Sequence, residues 1–231
     1  MEQIKEELTA QLQNPVAFTI PVFGGIPVSQ SVLVSWILIA AVVAAAILMA
    51  RKLKVEKPGR IQLVLEMFVT MMNNFCEENI GRHGKAFAPW LGSVGIFIAM
   101  ANLCGLLGLV PPTKNLNVTI ALALTSVVLI YGASFRYNGL KGGLHKFIEP
   151  SPIMLPINIL EIGIRPLSLC MRLFGNVLAA FVVMELIKLL VPVIVPVVFS
   201  LYFDIFDGLI QTVVFVFLTA LFVGEALEEA E

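Results

Sequence analysis

The chain has 231 residues, 58% of them hydrophobic and 13% charged, with a net charge of −1 and a mean hydropathy of +0.94. A soluble domain carries about 25% charged residues, so this composition excludes one. Apolar runs near the ~20 residues that span hydrocarbon predict an all-α polytopic membrane protein, not a β-barrel with its short alternating segments. The charge balance, with no basic patch interleaved with aromatics, excludes a nucleic-acid partner.

Residues 1–27 hold three acids, one lysine and three prolines. No cationic leader precedes the apolar run that follows, so that run reads as a retained helix rather than a signal peptide. It gives the first expected span, 28–50, and ends in Arg51, Lys52, Lys54, Lys57 and Arg60. By the positive-inside rule these five cations mark a cytoplasmic loop and put the N-terminus outside.

Over 61–84, Ile61, Leu65, Phe68, Val69, Met72, Phe75 and Cys76 recur at helical spacing against Gln62, Glu66, Asn73, Glu77 and Glu78. That stripe predicts an amphipathic helix lying along the cytoplasmic interface. The second span, 87–110, starts at Pro89-Trp90 and carries Gly92, Gly95, Gly105 and Gly108, which permit close helix packing. A turn from Pro111 to Asn117 leads into the third span, 118–136, and a loop with Arg136, Lys141, His145 and Lys146 is again basic.

Two long helices, 153–190 and 195–226, complete the expected five crossings and form a hairpin through Pro192 and Pro196. The first would be about 55 Å long against a hydrocarbon thickness of ~30 Å, so both are expected to be tilted, with Pro166 a plausible bend. Ten cations fall in segments assigned to the cytoplasm and three outside them, which supports an outer N-terminus and a cytoplasmic C-terminus. No internal repeat or linker appears, so 1–231 reads as one membrane domain, unlike the inverted-repeat transporters. Cys76, Cys104 and Cys170 lack metal-ligand spacing and read as buried free thiols.

The stretch that needs a reason is the polar stripe Glu161, Arg165, Ser168, Arg172 and Asn176, which shares one face of an apolar helix. A charge at the bilayer centre costs at least ~2.5–3.5 kcal/mol. Glu161 and Arg165 form an i,i+4 pair in the favourable order, a structural ion pair. Arg172 has Ser168, Leu169, Gly175 and Asn176 at i±3 and i±4, so its counter-charge must come from another helix or another protein.

The last helix carries a matching stripe, Asp204, Asp207, Gly208 and Gln211. Two readings are open. Asp204 or Asp207 pairs permanently with Arg172 and locks two helices together, or the acids line a hydrated path that the guanidinium blocks to cations because it cannot lose its proton. Glu185 and Lys188 form a surface pair or line an outer inlet, and His83 and His145 lie in loops. No H-E-x-x-H, G-x-S-x-G or phosphate-binding loop is present, so neither hydrolytic nor nucleotide chemistry nor a cofactor or metal is expected.

Arg165-Pro-Leu-Ser-Leu-Cys-Met-Arg172-Leu-Phe-Gly-Asn176, with Pro112-Thr113, Asn117-Val-Thr119-Ile-Ala121-Leu-Ala-Leu124 and Ile210-Gln211, resembles subunit a of the F-type ATP synthase membrane sector. The similarity runs from about Phe87 to the C-terminus. It implies a non-catalytic stator subunit of a bacterial inner-membrane complex, with two half-channels carrying protons or Na+ to and from c-ring carboxylates. The implied partners are the c ring, the b-subunit stalk, the remaining ATP synthase subunits and the lipid bilayer. Arg172 matches the family's essential arginine, and Asn176 and Gln211 match its asparagine and glutamine. Two positions depart from the family pattern: Phe181 stands where many members have an acid or histidine, and Asp204 where others have His or Glu. The outer acid is then Asp204, Asp207 or Glu185, in that order. The alternatives are a rotor-independent secondary transporter or channel, and an intramembrane scaffold.

Overall fold

The computed structural model describes residues 16–21, 26–51, 53–54, 58–107, 109–139, 155–190 and 195–228. Expectations that fall on the first fifteen residues, on Lys52 and Lys57, on Lys141, His145 and Lys146, on the turn at 191–194 and on the acidic tail beyond Glu228 lie outside the described residues. So do the side chains of Glu185 and Lys188, although both positions fall within a described helix.

The described elements are strands β1 (Val16–Ile20) and β2 (Ile26–Ser29), and helices α1 (Gln30–Ala50), α2 (Arg60–Ile80), α3 (Ala88–Leu103), α4 (Leu116–Tyr137), α5 (Leu155–Leu190), α6 (Val195–Ser200) and α7 (Gly208–Leu227). A π-helical stretch, Leu201–Asp207, separates α6 from α7. Five helical segments are long and apolar enough to cross a membrane: Gln30–Ala50, Ala88–Leu106, Leu116–Tyr137, Leu155–Met184 and Val198–Leu227. In hydrocarbon every backbone N–H and C=O must bond within its own segment, which is why apolar runs of this length are helical. The chain is an α-helical polytopic membrane protein.

Two features depart from the sequence expectation. The first is the hairpin, in which Phe18 faces Val28, Thr19 faces Pro27 and Ile20 faces Ile26 in antiparallel register. Strands this short show too little alternation to register as a period, and Pro27 argues against a strand unless the strand is an edge, as both strands of a lone hairpin are. The second is the last long helix. The stretch expected to be continuous over 195–226 passes through one π turn, and that turn contains Asp204.

Helix α2 ends at Ile80, four residues earlier than the stripe suggests. Gly81 adopts φ 84° and its N–H bonds to the Glu77 carbonyl, a left-handed cap that glycine reaches without strain.

Contacts gather into two compact units. One comprises Ala45–Ile96, Ile120–Met171 and Val213–Glu231. Its core packs Cys76 and Ile80 of α2 with Leu91, Ile130, Val216, Ala220 and Val223. A β-carbon at Gly84 would collide with the Cys76 backbone carbonyl and one at Gly224 with the Asn79 carbonyl, so backbone meets backbone at both places. Burial pushes the Cys76 thiol up to about 11, which keeps it protonated and inert at neutral pH.

The other unit comprises Met1–Ala44, Phe97–Thr119 and Arg172–Thr212. Val34 and Leu38 of α1 pack with Ala101 and Cys104. Asn115 Nδ2 donates to Ser29 Oγ at 2.9 Å, which ties the end of the hairpin to the turn before α4. All the candidate ion-translocation residues belong to this unit.

Candidate functional site

Within that unit, a cavity of about 210 Å³ is lined by the end of α3, the turn before α4, α5, the π stretch and the start of α7. Its polar lining is Asn102, Lys114, Asp204, Asp207 and Gln211, set among Leu109, Val110, Val177, Phe181, Met184 and Phe203. A space of this size with several convergent polar groups has room and partners for a chain of waters.

Small residues and a buried hydrogen-bond relay make the space. A β-carbon at Gly105 would lie 2.6 Å from Asp204 Oδ1, so glycine there leaves room for the carboxylate. At Gly208 a β-carbon would lie 2.9 Å from that of Asn102. Asn102 Nδ2 instead donates to the Gly208 carbonyl at 3.0 Å, and its Oδ1 accepts from Thr113 Oγ1 at 2.9 Å. These two buried bonds hold α3, the turn and the last helix in register, and buried polar groups satisfied in this way specify one arrangement. Asp204 Oδ2 accepts from Ser200 Oγ at 2.7 Å, one turn earlier.

Gln211 is 4% exposed and lines the same cavity. Its Oε1 accepts from Asn176 Nδ2 at 2.7 Å, which joins α5 to α7, while its Nε2 is buried with no protein partner. A buried amide donor left unmet costs about 1–3 kcal/mol, and the residue carrying this one lines the cavity. Lys114 is 7% exposed, with Nζ 3.3 Å from the centroid of the Phe181 ring.

Arg172 stands one helical turn before Asn176 on α5, and both side chains are exposed. Among the described residues Arg172 forms no ion pair, with Asp204, Asp207 or any other acid. The permanent lock between α5 and the last helix is therefore not what this structure holds. Asp204, Asp207 and Gln211 come together at one cavity, and Asn176 reaches them through Gln211. Glu185 lies on α5, with its side chain outside the described residues.

The sequence model of the ATP synthase A chain family matches residues 32–224, most of the chain. The chain belongs to the ATP synthase A chain family. It is 34% identical to ATP synthase subunit a of Moorella thermoacetica over 202 residues, 87% of this chain and 92% of that protein. It is 32% identical to ATP synthase subunit a 1 of Hahella chejuensis over 207 residues, 89% of this chain and 87% of that one. With ATP synthase subunit a 2 of a Bradyrhizobium species it shares 34% identity over 205 residues, 88% and 91% of the two chains.

In this member of the ATP synthase A chain family the other arginine of the stripe is held differently, within the first unit described above. Arg165 Nη2 lies 2.7 Å from Glu161 Oε2 and 2.7 Å from Glu225 Oε1, over the face of Phe222. Glu225 was not among the candidates from sequence. The signal was there, because an acid in the last turn of α7 opposes the helix dipole and so needs a cation. Sequence reasoning also gave no role to Asn102, Lys114 or Thr113, the last quoted only as part of the family pattern. A lone lysine between Pro112 and a membrane span was the available sign for Lys114.

Proposed function

We propose that this chain is the ion-translocating stator subunit of a rotary ATP synthase in a bacterial inner membrane. It offers two half-channels through which protons or Na+ reach and leave carboxylates on a passing ring of c subunits. The b-subunit stalk and the remaining subunits hold it in place, with the N-terminus outside and the C-terminus in the cytoplasm. Helix α2 lies along the cytoplasmic interface.

The observation that carries the reading is Arg172, an exposed, permanently charged side chain on a membrane-spanning helix with no acid of the described chain beside it. A cation facing hydrocarbon alone is costly, so its counter-charge comes from a second protein. A moving carboxylate supplies it. In lipid that carboxylate is stable only when neutralised, whereas beside Arg172 its ionised form is favoured, so it gives up its ion to one side and takes another from the opposite side. The guanidinium cannot lose its proton, so it passes none on. Asn176 and Gln211 keep α5 and α7 together one turn from Arg172.

The cavity holding Asp204 and Asp207 serves as the outer half-channel, its acids and waters relaying ions to the ring. Each charge crossing 100 mV yields ~2.3 kcal/mol, so several pass for each ATP made elsewhere in the complex. This subunit itself does no nucleotide chemistry.

Reconstitution of the chain alone into liposomes separates this from a rotor-independent transporter or channel. Ion uptake is expected to stay near that of empty liposomes, since neither half-channel crosses the bilayer by itself. Robust uptake by the isolated chain would overturn the proposal.

A further inference from the structure

The proposed mechanism leaves Lys114 without a role. We propose that Lys114 determines ion specificity: its ammonium denies metal cations a place in the cavity while leaving proton relay through Asp204 and Asp207 open. The inference rests on the stator reading and extends it to the choice of ion.

Lys114 is not a surface lysine that happens to fold inward. It is 7% exposed, it lines the same cavity as both aspartates, and the Phe181 ring lies 3.3 Å beneath its Nζ. The negative face of the ring holds a cation and fixes where the charge sits. Among the described residues, Asp204, Asp207 and Lys114 are the charged groups lining this space.

A metal cation that enters must exchange hydration for oxygen ligands. The side-chain amide oxygens of Asn102 and Gln211 already accept bonds from Thr113 and Asn176, which leaves the two carboxylates as the main anionic ligands. An ammonium lining the same cavity weakens their field and disfavours a second cation, with little screening inside the wall. A proton needs no such ligand cage. It moves along waters and carboxylates, and the cavity never has to hold a metal-sized ion.

The test is ATP-driven proton pumping by the complete complex in inverted vesicles, followed with a pH-sensitive fluorescent dye. NaCl is raised against choline chloride at constant ionic strength. Wild-type pumping is expected to be indifferent to sodium, and Lys114→Met to become sodium-inhibited, with a half-inhibiting concentration at least about tenfold lower. Lys114→Arg should restore the indifference, a result that a purely structural role would not produce. Phe181→Leu, which removes the ring under the ammonium, should move in the direction of Lys114→Met and serves if that variant fails to assemble. Equal indifference in Lys114→Met and wild type would overturn the role of Lys114, as would sodium-driven transport by wild type. Failure of both Lys114→Met and Phe181→Leu to assemble would assign Lys114 to the fold and overturn it too. None of these results bears on the stator reading, which fails separately if Arg172→Ala pumps normally.

Discussion

Arg172→Ala in the complete complex is expected to abolish ion-driven ATP synthesis, a loss of at least about 100-fold, the scale on which removing one preorganised charge acts. The complex should still assemble. Arg172 is exposed and bonded to no described residue, so truncation breaks no hydrogen bond or ion pair among the described residues, and alanine is the better helix former at that position. The loss is functional because the other cation on that face, Arg165, is paired with Glu161 and Glu225, and Ser168, Gly175 and Asn176, the neighbours of Arg172 one turn either way, carry no charge. Synthesis under an imposed gradient and the amount of complex in the membrane are measured together. Normal synthesis would refute the role, and loss of complex would make Arg172 a structural residue.

The second large effect is expected at the cavity acids. Asp204→Asn should lower ATP-driven pumping at least about tenfold, Asp207→Asn less, and the double variant further, since positioned proton-transfer groups contribute about 10²–10⁴-fold. Asparagine suits the test at Asp204. It keeps the size that Gly105 accommodates and can still accept from Ser200, so what disappears is the titratable charge. Dye quenching in inverted vesicles reads the loss. A double variant that pumps like wild type would show that the conducting path lies elsewhere.

Much of this was legible in the sequence because the bilayer is a simple solvent. Runs of about twenty apolar residues have one fate in hydrocarbon, so five spans could be counted, and five described helices are long and apolar enough to cross a membrane. The lack of an acid beside Arg172 on its own helix could also be read, since only positions three and four away come within pairing reach. The spacing of Asp204, Asp207 and Gln211 put them on one stripe, and they line one cavity.

What escaped depends on distant backbone meeting, which a one-dimensional pattern does not encode. The approach of Gly105 to Asp204 joins residues 99 positions apart in sequence, and that of Lys114 to Phe181 joins a turn to a helix. The π turn at Leu201–Asp207 escaped for another reason: a period of 3.6 fits its flanks and hides the extra residue. Glu225 was missed because the pairing rule for Arg165 was already satisfied within its own helix by Glu161.

Whether Arg172 keeps the two half-channels apart can be read from passive proton permeability. Vesicles carrying the complete complex, with nucleotide withheld, are given a pH gradient, and its decay is followed for wild type and Arg172→Ala. With Arg172 in place a ring carboxylate cannot exchange with both half-channels without rotating, so decay should match vesicles in which the complex is blocked. In Arg172→Ala the same carboxylate can load from one side and unload to the other, and the gradient should collapse faster. Equally slow decay in both would contradict the role of Arg172 as the barrier.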